Sequence, residues 1–139
     1  MRLLMLRKRQ DFMRTKSGVS WGTKGFNLQA AWQKKPLSAA EARFGITVSN
    51  HCIRRMLTEQ RAKKSQRHER RGPVSVKRNR ARRRLRAALQ QVAPRLAQKR
   101  VDYVVVGRPA LETLSFEIIL KDLEKSFQKV NRRLISTSD

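Results

Sequence analysis

The chain has 139 residues and carries 34 Lys and Arg against 10 Asp and Glu, a formal charge of +24 at neutral pH. That length suits one domain, and 39% apolar content is enough for one small core, which excludes wholesale disorder. Cys52 is the single cysteine, which excludes an intramolecular disulfide framework and fits a reducing compartment; with His51 beside it and His68 remote, the spacing matches no zinc signature and no protein-borne metal is expected.

The first apolar run, Leu3 to Leu6, is too short for a signal-peptide core or a membrane span, so a soluble, cytoplasmic protein is expected. Leu6 to Lys16 predicts a short helix with Gly18 as its stop signal. Phe26, Leu28, Ala30 and Trp32 alternate with Asn27, Gln29 and Ala31, the period of a half-buried strand. Beyond a loop around Pro36, Phe44, Ile46 and Val48 repeat that period and predict a second strand. Residues 50–73 differ in kind: they are basic, poor in apolar residues beyond Ile53, Met56 and Leu57, and closed by Gly72 and Pro73. They predict a protruding excursion, with a helical stretch near Ile53 to Arg61.

After Pro73 a helix is predicted, because Ala81, Leu85, Ala88, Leu89, Val92 and Leu96 recur at helical spacing, with Pro94 ending or kinking it. Val101 to Arg108 is a nearly continuous, β-branched apolar run, as expected of a strand buried on both faces. Phe116, Ile119, Leu120, Leu123, Phe127, Val130 and Leu134 then fall on one helical face, with Ser115 placed to cap and Glu117 four before Lys121. The expected fold is an α+β single-domain sandwich over residues 1–139. It has a small, mostly antiparallel sheet of about four strands packed with helices in the order α-β-β-β-α-β-α. Residues 135–139 are expected as a flexible tail.

The charge is unevenly placed. Lys77 to Arg86 reads KRNRARRRLR, six Arg and one Lys in ten residues, and no Asp or Glu occurs between Glu69 and Asp102. Arg80, Arg82, Arg83 and Arg86 point away from the apolar stripe of their helix. An exposed basic face is commonly only solvated, but such faces carry interspersed acids, and here they are missing. Guanidinium groups bind phosphate through paired, directional hydrogen bonds, so the face suits a polyanion. No helix-turn-helix, zinc finger or basic zipper surrounds it, which favours folded RNA over duplex DNA. Phe12, Trp21 and Trp32 are candidates to stack on unpaired bases, although packing in the core is the commoner role of each. No paired acidic metal cluster and no nucleophile with its base is evident, so no catalytic residue is expected.

Arg78, Asn79, Arg80, Arg82, Arg83 and Arg86 match the signature helix of a known family, and the chain resembles the protein subunit of bacterial ribonuclease P. Leu6 to Phe12 resembles the family's opening helix, Arg43 to Ser49 its strand before the signature helix, and Asp102 to Arg108 the strand after it. Two departures stand out: Ala87 occupies a position where an acid is common, and residues 50–73 form a basic insertion of roughly two dozen residues where the family has a short link. The resemblance implies that Lys77, Arg78, Asn79, Arg80, Arg82, Arg83 and Arg86 bind a catalytic RNA subunit. It implies that Phe12, with Gln29, Thr47 and Ser49, lines a cleft for the single-stranded 5′ leader of precursor tRNA. Thr15 and Lys16 stand where a second aromatic of that cleft would be sought. It also implies phosphodiester hydrolysis by the RNA with Mg2+, and a monomeric protein bound 1:1 to it. A non-catalytic RNA-binding protein of ribosomal type is the alternative, and a protein that itself hydrolyses RNA is a third.

Overall fold

The computed structural model describes residues 3–34, 41–48 and 74–137. In chain order these form α1 (Arg9–Lys16), β1 (Val19–Gly22), β2 (Phe26–Trp32), β3 (Arg43–Thr47), α2 (Val74–Leu96), β4 (Val101–Gly107), a 3-10 turn (Pro109–Thr113) and α3 (Phe116–Thr137). The strands make one sheet in the order β1-β2-β4-β3. Two pairings are antiparallel, β1 with β2 and β2 with β4, while β3 lies parallel to β4 and is joined to it through α2. The expected α+β architecture and element order are therefore present, in a mixed sheet.

One face of the sheet makes the core. Phe26, Leu28 and Ala30 of β2, Phe44 and Ile46 of β3, and Tyr103 and Val105 of β4 all face α2 and α3. α2 contributes the stripe Ala81, Leu85, Ala88, Leu89 and Val92; α3 contributes Ile119, Leu123, Phe127, Val130 and Leu134. Leu96, the last residue of the predicted stripe, is half-buried, and α2 runs past Pro94 to that residue. Tyr103 stands at the centre, its ring 5.7 Å from that of Phe44 and 4.8 Å from that of Phe127. Its hydroxyl donates to Asn131 Oδ1 (2.6 Å) and accepts the Gln98 amide (2.9 Å), while Asn131 Nδ2 donates to the Leu96 carbonyl (2.7 Å). One side chain of α3 thereby satisfies an end carbonyl of α2, which has no partner within its own helix.

The other face is covered in part by α1. Eight residues are too few for a helix to persist alone in water; α1 is held by its buried Asp11 and Thr15 and by Arg14, which reaches across the sheet. It begins at Arg9 rather than Leu6, because the preceding residues are spent on β structure. The Leu6 amide donates to the Phe44 carbonyl (2.6 Å) and the Phe44 amide to the Leu4 carbonyl (2.8 Å), so the N-terminal segment lies along the edge of β3. Three further differences concern local signals. β1 has only four residues, too few for a legible period. α3 continues to Thr137, so Ile135 and Ser136, expected in a flexible tail, lie in its last turn. Trp21 packs beside the core, with Lys129 and Arg133 of α3 at 5.6 and 5.1 Å from its ring, which spends it on the helix rather than on a base. The excursion of residues 50–73, Ser49, His51, Cys52 and His68 lie outside the described residues.

Candidate nucleic-acid interface

α2 holds its basic residues on two flanks with different fates. On the flank toward the 3-10 turn Lys77 and Arg84 are used internally, while Arg80 beside them is exposed. Lys77 pairs with Glu112 at 2.9 Å, and the half-buried Arg84 donates to the carbonyls of Leu111 (2.9 Å) and Leu114. Arg84 thus closes the turn after β4, a role its place in the KRNRARRRLR run did not reveal. Arg78 is half-buried beside the apolar stripe. The remaining residues of the motif, Asn79, Arg80, Arg82, Arg83 and Arg86, are exposed. Asn79, Arg82, Arg83 and Arg86 line a groove of about 490 Å3 together with Met5, Ile46 and Val76. Arg82, Arg83 and Arg86, with Asn79 of the RNR block, therefore present a cationic strip beside β3.

A second region lies on the face that α1 shares with the sheet. A side chain at Gly45 would place its Cβ 2.5 Å from Phe12 Cε1, so the absence of one is what lets the Phe12 ring rest on β3. Gly45 and Gln29 are both partners of Val104, and Thr47 and Asn27 are both partners of Val106. Phe12, Gln29 and Thr47 are thus brought onto one half-buried face, in adjacent rows across β4, and Asn27 and Val106 join them. The last two were missed because alternation alone does not say which face of a strand stays open. Gln29 Oε1 is buried with no hydrogen-bond partner among the described residues.

One row further along the same face sits an ionic network that sequence reasoning did not find. The Asp102 side chain is fully buried. It accepts from Arg43 Nε (2.9 Å) and Nη2 (2.7 Å), from Gln33 Nε2 (3.2 Å), and from Arg14. Arg14 also pairs with Asp11 at 3.0 Å, and Arg43 with Asp11 at 3.4 Å. The hydrogen bond to Asp102 holds the Arg43 guanidinium above its ordinary range, outweighing the burial that would lower it. The only available hint was an Asp inside an apolar strand, which at a fully buried position requires a cationic partner.

The class is thus a small single-sheet α+β protein in which one flank of a helix beside the sheet is left without paired acids among the described residues. A sequence model of Ribonuclease P matches residues 68–131. The chain is 36% identical over 131 residues to the ribonuclease P protein component of Paramagnetospirillum magneticum, covering 93% of this chain and 84% of that protein. It is 32% identical over 129 residues to the one from Ruegeria pomeroyi, covering 91% and 86%. Among solved structures, the RNase P protein of Staphylococcus aureus has the same fold at a TM-score of 0.63 and 20% identity, covering 96% of this chain and 99% of that one. The Thermotoga maritima RNase P protein gives a TM-score of 0.57 at 20% identity, covering 92% and 96%. The chain belongs to the ribonuclease P protein component family.

No helix among the described residues is long and apolar enough to cross a membrane. Nor do the described residues gather three or more His, Cys, Asp or Glu into a group that could hold a metal ion.

Proposed function

We propose that this protein acts in the cytoplasm as a monomer bound 1:1 to the RNA subunit of ribonuclease P, and that it assists removal of the 5′ leader from precursor tRNA. The observation that carries the reading is the exposed flank of α2, where Arg82, Arg83 and Arg86 line one groove and form no ion pair among the described residues; Arg80, equally exposed and unpaired, stands on the neighbouring flank. Its part is electrostatic. Guanidinium groups held on a rigid helix neutralise phosphates and release their counterions, which lets RNA segments approach each other more closely. Asn79 adds a neutral donor and acceptor among them. The half-buried face of Phe12, Gln29, Thr47 and Asn27 receives the single-stranded leader, with the ring available to a base and the amides to its edges.

Hydrolysis belongs to the RNA and its Mg2+ in this reading, and no protein side chain is assigned a proton or a metal ligand. The test is to mix the purified protein with ribonuclease P RNA at low Mg2+ and follow cleavage of precursor tRNA. Stimulation is expected. Tight binding to that RNA without any stimulation would instead favour an RNA-binding protein of ribosomal type, and cleavage by RNA-free protein would place the chemistry on the chain.

A further inference from the structure

α1 crosses the second face of the sheet and divides it. Along β3 the residues of this face run Arg43, Gly45, Thr47. Gly45 lies under Phe12, Thr47 faces the leader cleft, and Arg43 lines a separate groove of about 910 Å3 on the other flank of the helix. That groove takes its apolar lining from Leu3, Leu4 and Met5 and carries Arg7, Lys8, Lys34 and Arg86 around it. All four cations are exposed, and none of their side chains has an ion pair or hydrogen bond among the described residues. Arg14 and Arg43, also in its lining, are committed to Asp11 and Asp102. Of the two carboxylates that line it, Asp11 is therefore engaged, and Glu41 alone stands against four free cations. Met5 and Arg86 also line the groove beside α2, so the two grooves are continuous.

We propose that the two grooves form a single track for the backbone of the RNA subunit. An RNA strand leaving Arg82 and Arg83 passes Arg86 and continues over the N-terminal segment, where Arg7, Lys8 and Lys34 meet its phosphates and the apolar lining accepts a sugar or base face. The inference rests on the reading of α2 given above and adds a second half to that site. Continuity favours the RNA subunit as occupant, since Arg86 links the groove to α2 whereas α1 separates it from the Phe12 cleft. A string of cations along a groove also matches a polymer of evenly spaced charge better than a compact anion.

The experiment compares two full-length variants, Arg7→Ala/Lys8→Ala/Lys34→Ala and Arg82→Ala/Arg83→Ala, in binding to ribonuclease P RNA from 0.1 to 1 M salt. Each lost phosphate contact lowers the log-log salt slope by about 0.7 for single strands, so the first variant is expected to lose about 2 from the slope and to bind on the order of 100-fold more weakly at 0.1 M. Affinity of the reconstituted holoenzyme for precursor tRNA should be unchanged, and circular dichroism should match the parent because all the altered side chains are exposed. If only the α2 variant changes the slope, the track is overturned and the α2 reading stands. If neither does, the α2 reading falls and the track with it. A loss confined to precursor affinity would assign the groove to the substrate and equally overturn the proposal.

Discussion

Arg14 and Arg43, where α1 meets the sheet, converge on an Asp102 side chain with no exposure, whereas Arg80, Arg82, Arg83 and Arg86 on α2 stand in solvent with no carboxylate paired to them among the described residues. The same side chain does different work in the two places. What separates them is the position of the acids: Asp11 and Asp102 are built into one region, and the stretch that makes α2 has none. Arginine content alone therefore does not locate a binding face in a chain this basic. Arg84 makes the point at closest range, since it lies between exposed arginines yet is turned inward onto backbone carbonyls.

Four measurements would test this contrast. Asp102→Ala leaves Arg14 and Arg43 to share Asp11 alone, and it should cost about 3–5 kcal/mol in urea unfolding; a cost under about 1 kcal/mol would mean that Asp11 and water serve the two guanidinium groups equally well. Arg82→Ala/Arg83→Ala/Arg86→Ala should lower the salt slope of RNA binding by about 2 while changing stability by less than about 0.5 kcal/mol per site. An unaltered slope there would remove the basis for assigning this flank to RNA. Arg84→Ala should do the reverse, costing about 1–3 kcal/mol through the carbonyls it deserts and leaving the slope untouched. The smallest effect concerns Tyr103, whose burial raises its pKa above the ordinary value, against the Gln98 hydrogen bond that lowers it. The unfolded chain then loses that proton first. Stability should be independent of this group below about pH 10 and should decline as pH rises above it. Tyr103→Phe should remove that decline, and an identical alkaline limb in the variant would point to another group.

Much of the fold was legible because its signals are local. The helical stripes of α2 and α3 and the period-2 runs of β2 and β3 each specify a face, and those faces meet in the core. β1 was counted in the expected order but not located, because its four residues include Gly22 and are kept in place by pairing with β2 rather than by their own pattern. The start of α1 was misplaced for the same reason: Leu6 fits a helical stripe, and only the distant Phe44 draws it into an extended segment. In the candidate site, the exposed arginines of α2 could be read from the missing acids. The partners of Lys77 and Arg84 lie 35, 27 and 30 positions away, and the Asp102 network joins residues up to 88 apart, so no window of sequence contains them. Phe12, Gln29 and Thr47 came from family resemblance, and it is the register across β4 that brings them together.

β4 is the strand on which assembly waits. It lies between β2 and β3, which do not touch each other in the sheet order, and among the described residues β3 has no other strand beside it except the short segment at Leu4 to Leu6. The Arg43 to Asp102 contact spans 59 positions. During synthesis, β1, β2, β3 and the entire arginine-rich helix must leave the ribosome before the residues that unite them exist. Closing so long a loop costs entropy before its contacts offset it, which slows folding relative to a fold held by local contacts alone. Until Gly107 has emerged, the arginines of α2 belong to a chain without a sheet to display them.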